Sequence, residues 1–261
     1  MCSFKIVTLS LRDATKRRDS FTSNFIQNSS LNFHFFDGIY GKDLTEKELI
    51  NIYSSSLAME KIKRELTKGE IGATYSHFLI YKEALRENAD YLILLEDDSY
   101  INSDFDIIIK KITREINPEE SSIIFIQKHT LNDKVILSKS PRAIFNNNYS
   151  LYKLLGSSQY FVGSYGYIVT KKALTQLISS YLPIFCVCDH WFHIKKRSKI
   201  KDFYVLKNHL VYTNDEEVRK IDSFINKDRM LVIKNRPITL IAKIKIRIKY
   251  YLLRLINKDW E

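Results

Sequence analysis

The feature that most constrains the fold is a wholly apolar run, YLILL at positions 91–95, which ends directly in Glu96, Asp97 and Asp98. An apolar run of this length without polar alternation is typical of a parallel strand that is covered on both faces. In open α/β sheets, ligands bind beyond the carboxyl ends of the strands. The run therefore predicts a buried central strand with an acidic site at its end.

Strand-like and helix-like segments alternate along the first 180 residues. Short apolar or β-branched runs predict strands at 5–9, 32–36, 123–126 and 165–169. Amphipathic or capped segments predict helices at 12–25, 46–65, 67–88 and 171–180. This alternation predicts one α/β domain, residues 1–225, in which helices flank a mostly parallel central sheet.

Residues 226–261 differ in composition and predict a basic C-terminal helical tail. Isoleucine and leucine alternate there with lysine and arginine. At about 100° per residue the apolar side chains share one face of a helix and the basic ones lie opposite. Such a helix suits an anionic membrane surface. A helix packed on the catalytic domain, with its lysines in solvent, is the alternative.

The net charge of +11 allows a polyanionic partner, and the cysteine content indicates a reducing compartment. Cys2, Cys186 and Cys188 are too few, and odd in number, for a disulfide framework. The N-terminal apolar segment is too short for a signal peptide, and no run reaches the roughly 18 apolar residues of a spanning helix. We expect a cytoplasmic protein, at most peripheral on the inner face of the cytoplasmic membrane.

The acidic cluster predicts a divalent metal site. Consecutive carboxylates raise one another's pKa and destabilise the fold unless a cation neutralises them. Mg²⁺ and Mn²⁺ bridge such carboxylates to substrate phosphates. Glu96 and Asp98 are alternate residues at a strand end and project the same way, so they are the predicted metal ligands, with Asp97 supporting. The alternative is a helix cap or a solvated loop.

The order of several motifs resembles glycosyltransferase family 25, which includes bacterial lipooligosaccharide galactosyltransferases. The motifs are TLSLR at 8–12, DG at 37–38, GEIGATYSH at 69–77, LLEDD at 94–98 and GSYGYIVT at 163–170. The resemblance covers residues 4–195. It implies a GT-A-like fold, a UDP-sugar donor, most often UDP-galactose, and inverting transfer to a saccharide acceptor in lipooligosaccharide or lipopolysaccharide biosynthesis. Ser10 and Ala73 depart from the Asn and Cys that the family often has there.

The resemblance also implies where the donor binds. Glycines at the start of the helix predicted at 67–88 allow close backbone approach, and the N–H groups there favour phosphate. Arginines after the first strand suit a diphosphate, although on a helix face they are often simply solvated. A histidine in this position is also often a core residue. The predicted donor-binding residues are Thr8, Ser10, Arg12, Arg17, Gly69, Glu70, Gly72, His77 and Asp97.

The segment CVCDHWFH at 186–193 is the other chemically rich stretch. Its cysteines and histidines lack the separated pairs of ordinary structural zinc sites, which disfavours zinc. An inverting transfer needs a base for the acceptor hydroxyl, and a carboxylate is suitable. Asp189 is therefore the predicted catalytic base. A helix cap at Asp189 is the alternative.

The same segment supplies the remaining predicted site residues. His190 and His193 are predicted as further metal ligands. Trp191, with Tyr167 from the GSYGYIVT motif, is predicted to bind the acceptor through its ring. The alternative places Trp191 and Phe192 in the core.

Three other functional classes remain open from the residues alone. A nucleic-acid-binding protein fits the charge, but the basic residues concentrate in the tail and no known nucleic-acid motif is present, so no nucleic-acid partner is predicted. A metal-dependent phosphohydrolase acting on nucleotide sugars would use the same carboxylates. An inactive binding module is disfavoured because the carboxylates are intact.

Overall fold

The computed structural model describes residues 3–128, 135–155 and 161–213, together with residue 248. Its strands are β1 (Phe4–Ser10), β2 (His34–Asp37), β3 (Tyr91–Glu96), β4 (Ser99–Ile101), β5 (Ser122–Phe125), β6 (Ala143–Ile144), β7 (Ser150–Lys153), β8 (Gly166–Thr170), β9 (Asp202–Lys207) and β10 (Val211–Thr213). Its helices are α1 (Thr15–Asn28), α2 (Glu46–Ile52), α3 (Ser55–Lys61), α4 (Lys68–Arg86), α5 (Phe105–Glu115), α6 (Lys171–Ser180) and α7 (Trp191–Ser198). A 3-10 turn lies at Gly41–Asp43.

The central sheet has the strand order β2-β1-β3-β8-β5-β9-β7-β6 among the described strands. The β1–β2, β1–β3 and β5–β9 pairs are parallel. The β3–β8, β5–β8, β7–β9 and β6–β7 pairs are antiparallel. The domain is therefore α/β with a mixed sheet, and the expectation of a mostly parallel sheet is not confirmed. The difference arises because β8 inserts antiparallel between β3 and β5.

Both faces of the sheet are covered, which explains the apolar run in β3. Leu92 and Leu94 belong to a core cluster that includes buried side chains of α4 and α6. Tyr91, Ile93 and Leu95 belong to a second cluster with buried side chains of α1 and α5. Alternate residues of a strand face opposite sides of a sheet. The run thus indicates two covered faces and does not depend on the direction of the neighbouring strands.

Helix α4 begins at a capping box, as its sequence predicts. The Thr67 side chain accepts a hydrogen bond from the Glu70 backbone N–H at 3.2 Å, and the Glu70 carboxylate accepts from the Thr67 N–H at 3.0 Å. Arg64 donates from two nitrogens to the same carboxylate, each at 2.7 Å. This arrangement satisfies helix-end donors and fixes the start of α4.

The predicted basic tail and the domain boundary at 225–226 lie outside the described residues, apart from residue 248. No helix in the described part of the chain is both long enough and apolar enough to cross a membrane.

Helix α4 approaches the 3-10 turn so closely that glycine is required on both sides. A Cβ atom on Gly72 would lie 2.7 Å from the Cα of Gly41 and 2.7 Å from the carbonyl oxygen of Ile39. A Cβ atom on Gly41 would lie 1.8 Å from the carbonyl oxygen of Lys68. These neighbours are backbone atoms, which cannot rotate away. The two glycines therefore set the distance between the turn and the first half of α4.

We expect Gly72→Ala to lower the free energy of unfolding by about 1–3 kcal/mol, because overpacking against backbone forces the turn to shift. Urea denaturation followed by circular dichroism measures the change. Gly38→Ala is the matched control, since its new methyl would meet the Leu9 Cδ1 atom at 3.1 Å, a side-chain end that can move. Equal loss of stability in both variants would contradict this account of Gly72.

Candidate functional site

An open cleft of about 200 Å³ lies where β1 and β3 end. The chain leaves β3 through a turn at Asp97 and Asp98 and enters β4. The Asp97 N–H donates to the Leu9 carbonyl at 3.1 Å, which ties the turn to β1. The cleft is lined by Leu9, Leu11, Arg17, Gly38, Ile39, Tyr40, Gly41, Lys42, Gly69, Ala73, Ser76, Glu96, Asp97 and Asp98.

Asp97 is buried and held by two neighbours. Ser10 donates its hydroxyl to Oδ2 at 2.6 Å, and Arg17 Nη2 lies 2.9 Å from Oδ1. Burial raises the pKa of the Asp97 carboxyl, and the charge of Arg17 opposes that rise. Asp97 thus links β1, α1 and β3 at the edge of the cleft.

Glu96 lies at the end of β3 and is held on one oxygen. Ser164 donates its hydroxyl to Oε1 at 2.6 Å. Burial and the negative charges of Asp98, Asp97 and Asp189 together raise the pKa of Glu96 to about 8, and the Ser164 hydrogen bond opposes the rise. Glu96 therefore lies among carboxylates that favour either its neutral form or a nearby cation.

Asp98 retains an oxygen that can take a ligand. Arg17 Nη2 lies 3.1 Å from Oδ2, whereas Oδ1 is buried and makes no hydrogen bond within the described ranges. Burial raises the pKa of the Asp98 carboxyl. A buried, unpartnered carboxylate oxygen beside Glu96 fits a hard cation with oxygen ligands. The pair offers two such ligands, which suits an ion that completes its coordination with substrate phosphate and water.

The histidines do not complete this pair. No group of three or more His, Cys, Asp or Glu side chains within the described part of the chain is arranged to hold a metal ion. The structure does not bring His190 and His193 into one such group with Glu96 and Asp98, and their role as metal ligands stays a prediction. Both histidines lie at the start of α7 and line a second cleft of about 140 Å³.

His77 lies behind Glu96 in the core, where it does not line the cleft. Its Nδ1 atom is 2.8 Å from the Tyr167 hydroxyl, and its Nε2 atom is 3.8 Å from Glu96 Oε1. The Tyr167 hydroxyl is in turn 2.6 Å from that of Tyr81. Burial lowers the pKa of His77 to about 3, so the ring is neutral at physiological pH. His77 therefore lies next to Glu96 without an ion pair to it.

Three of the predicted donor-binding residues line the cleft: Arg17, Gly69 and Asp97. The other six do not line it; they are buried, packed on backbone or paired with another side chain. Thr8, Ser10 and His77 are buried, Gly72 packs on Gly41, Glu70 pairs with Arg64, and the exposed Arg12 pairs with Asp37 at 3.1 Å.

The second cleft contains the predicted base, Asp189. It is lined by Phe161, Val162, Asp189, His190, Trp191, Phe192 and His193. Asp189 is close enough to raise the pKa of Glu96. Ser164 connects the two regions, because its hydroxyl contacts Glu96 and lies 3.6 Å from the Cys188 sulfur, next to Asp189. The predicted base therefore lies near the acidic cluster.

Trp191 and Tyr167 are core residues, which corrects their prediction as open stacking surfaces. Both are 0% exposed. Trp191 donates its ring N–H to the Gly163 carbonyl at 2.8 Å and packs edge-on to Tyr167, with 5.0 Å between ring centroids. Phe192, which is 38% exposed, and Val162 are the apolar side chains that face outward around the second cleft.

The sequence interpretation missed the cleft residues on the loop between β2 and the 3-10 turn. Tyr40 is partly exposed, and Lys42 Nζ lies 5.9 Å from the centre of its ring. Ser164, which holds Glu96, was missed as well. The DG turn at 37–38 is the sequence signal nearest to Tyr40. Ser164 lies inside the GSYGYIVT motif, where its pairing across the sheet is invisible along the chain.

We expect Glu96→Gln to stabilise the metal-free protein at high pH and to have little effect at low pH. Below pH 4.5 the carboxyl is neutral in both the folded and the unfolded chain. As pH rises towards about 8, the unfolded chain ionises first, so the native Glu96 becomes progressively destabilising. Glutamine does not ionise and still accepts from Ser164.

Thermal unfolding in EDTA measures this effect. The Tm of Glu96→Gln minus that of the wild type should grow by about 2–6 °C between about pH 5 and pH 8.5. The same substitution at the exposed Glu119 is the control and should show no such growth. A difference that is flat or shrinks with pH would refute the raised pKa.

The sequence is similar to bacterial proteins of lipooligosaccharide and oligosaccharide biosynthesis. The lipooligosaccharide biosynthesis protein lex-1 of Haemophilus influenzae is 25% identical over 197 residues, covering 68% of this chain and 64% of the relative. The lacto-N-neotetraose biosynthesis glycosyltransferase LgtE of Neisseria meningitidis is 25% identical over 167 residues, covering 64% and 56%. The chain thus spans between about half and two thirds of the length of these relatives.

Among solved structures, S. aureus TarS 1-349 aligns over 97% of this chain and 72% of its own, with a TM-score of 0.47 and 11% identity. The sequence model of glycosyltransferase family 25, described as an LPS biosynthesis protein, matches residues 4–192. That match includes the acidic cluster, the start of α4 and Asp189. The chain belongs to glycosyltransferase family 25.

Proposed function

We propose that this chain is an inverting, GT-A-like hexosyltransferase that moves galactose from a UDP-sugar to a saccharide acceptor in lipooligosaccharide or lipopolysaccharide biosynthesis. The observation that carries the proposal is the arrangement around Glu96. Three carboxylates and Arg17 line one open cleft, and Asp189 lines a second cleft close enough to raise the pKa of Glu96. A transferase needs two substrates to meet at one point, and two clefts whose carboxylates interact electrostatically support that arrangement.

The first cleft suits a nucleoside diphosphate. Leu9, Leu11 and Ile39 give it an apolar wall, and Tyr40 adds a ring at its rim. Arg17, Lys42 and the start of α4 at Gly69 provide positive charge or helix-end N–H groups for phosphate. An apolar wall for a base beside a positive region for a diphosphate matches the two parts of a UDP-sugar.

Glu96 and Asp98 are the proposed ligands of Mn²⁺ or Mg²⁺, with Asp97 held aside by Ser10 and Arg17. A divalent ion at these carboxylates, when bound, supplies positive charge to the leaving diphosphate. Arg17 lines the same cleft and adds its own charge to the phosphate side. The buried Oδ1 atom of Asp98, which has no hydrogen-bond partner in the described part of the chain, supports this assignment.

Asp189 is the proposed catalytic base. It accepts the proton of the acceptor hydroxyl while that oxygen forms a bond to the anomeric carbon and the bond from that carbon to the UDP oxygen breaks. The second cleft, with the exposed ring of Phe192 at its rim, is the proposed place for the acceptor sugar. No covalent intermediate is needed, and the configuration at the anomeric carbon inverts.

The proposed acceptor is a membrane-anchored glycolipid or its oligosaccharide, reached from the cytoplasm. The basic tail is proposed to bind an anionic leaflet. It lies in residues 226–261, outside the described ranges apart from residue 248.

The donor and the metal are tested by UDP release. Wild-type protein is screened with UDP-Gal, UDP-Glc, UDP-GlcNAc and UDP-GalNAc, with Mn²⁺ or EDTA, and with or without an oligosaccharide acceptor. We expect metal-dependent release with UDP-Gal only when the acceptor is present. Rapid release without acceptor would instead identify a phosphohydrolase.

Asp98→Asn should lower the rate of UDP release by about 100-fold, because it removes a ligand charge at the leaving group. Asp19→Asn is the matched control, since Asp19 is exposed on α1 and its substitution removes the same charge. Full metal-stimulated turnover in Asp98→Asn would show that the assignment of Asp98 is wrong.

Asp189→Asn should lower kcat by about 100-fold, while the Kd for UDP changes by less than about twofold. The split arises because the base acts on the acceptor and lies outside the cleft proposed for the donor. Steady-state kinetics and isothermal titration calorimetry measure the two quantities. A variant that retains kcat would exclude Asp189 as the base.

A further inference from the structure

Arg17 contacts two carboxylates of the acidic cluster through one atom. Its Nη2 nitrogen lies 2.9 Å from Asp97 Oδ1 and 3.1 Å from Asp98 Oδ2. The side chain is 27% exposed and also lines the donor cleft. Arg17 is therefore both a counter-ion of the cluster and a residue that a ligand in the cleft would meet.

The two carboxylates do not depend on Arg17 equally. Asp97 has a second donor, Ser10, at 2.6 Å. Asp98 shares its Oδ2 with Arg17 and leaves its buried Oδ1 atom without a hydrogen-bond partner among the described residues. Removing Arg17 from Asp98 thus releases a whole carboxylate, whereas Asp97 stays held by Ser10.

A divalent ion on Asp98 Oδ1 and the Arg17 guanidinium on Oδ2 would share one carboxylate, and like charges at that range repel, so the two compete for Asp98. The Arg17 guanidinium can instead donate hydrogen bonds to a ligand in the cleft. Its Nε atom is buried and makes no hydrogen bond within the described ranges. A planar guanidinium with unused donors is suited to an incoming diphosphate.

We propose that Arg17 is an exchangeable counter-ion, which competes with the divalent ion for Asp98 and transfers its hydrogen bonds to the donor diphosphate. The proposal rests on the function proposed above, since it takes Asp98 as a metal ligand and the cleft as the donor site. It goes further because it makes Arg17 the side chain that couples nucleotide binding to ion binding. The nucleotide draws Arg17 away from Asp98, and the site then binds the ion more strongly.

The test measures Mn²⁺ binding to the nucleotide-free, full-length protein. Electron paramagnetic resonance monitors the binding through the signal of the free ion. Arg17→Ala should bind Mn²⁺ about tenfold more tightly than wild type, because a competing positive charge is gone. Arg17→Gln, which keeps most of the side-chain volume, should behave the same way and serves if the alanine variant folds poorly. Lys16→Ala is the matched control, since Lys16 is the exposed neighbour on α1, and its affinity should stay within about twofold of wild type.

Asp98→Asn separates the two proposals. Introduced into the wild type, Asp98→Asn should weaken Mn²⁺ binding. Introduced into Arg17→Ala, it should abolish the increase in Mn²⁺ affinity that Arg17→Ala produces. If Asp98→Asn weakens binding but neither Arg17 variant strengthens it, the exchange is wrong and the metal site stands. If Asp98→Asn has no effect, the metal assignment fails and the exchange fails with it.

Discussion

The burial of negative charge at the end of β3 is the constraint on which the site depends. A strand covered on both faces brings Glu96, Asp97 and Asp98 to the edge of the core, where water solvates them poorly. Donors from separate elements pair with these carboxylates: Ser10 from β1, Arg17 from α1 and Ser164 from the segment before β8. Breaking a buried pairing of this kind typically costs about 3–5 kcal/mol, so the cluster fixes the relative positions of these elements.

Glu96 lines the first cleft and also experiences the charge of Asp189 in the second. Its neighbours on one side are Asp97 and Asp98, and on the other Ser164 leads to Cys188 and Asp189. The neutral, buried His77 lies next to Glu96 on the core side. One side chain therefore experiences the charge of both regions, which makes the two clefts parts of a single electrostatic unit.

Local signals in the sequence predicted the local structure well. The helix predicted at 171–180 is α6 with the same bounds, the capping box at Thr67 starts α4, and the apolar run at 91–95 lies in β3. The features that the sequence did not predict depend on contacts between residues far apart in the chain. The direction of β8 follows from its pairing with both β3 and β5, and Trp191 is buried because β5, β8 and β9 bring Phe125, Tyr167 and Phe203 around it. The EDD motif gave the position of the cluster, but not its pairing with Arg17.

The position of β8 has a consequence for how the chain acquires its structure during synthesis. Along the sheet, β2, β1 and β3 lie on one side of β8, and β5, β9, β7 and β6 lie on the other. Among the described strands, no ladder joins the two groups directly, so these strands become one sheet only after residues 166–170 have left the ribosome. Ser164, the hydroxyl donor of Glu96, lies just before this late segment. Nascent chains that end before this point expose the unpaired edge of β3, which makes the middle of translation the stage most open to wrong strand pairing.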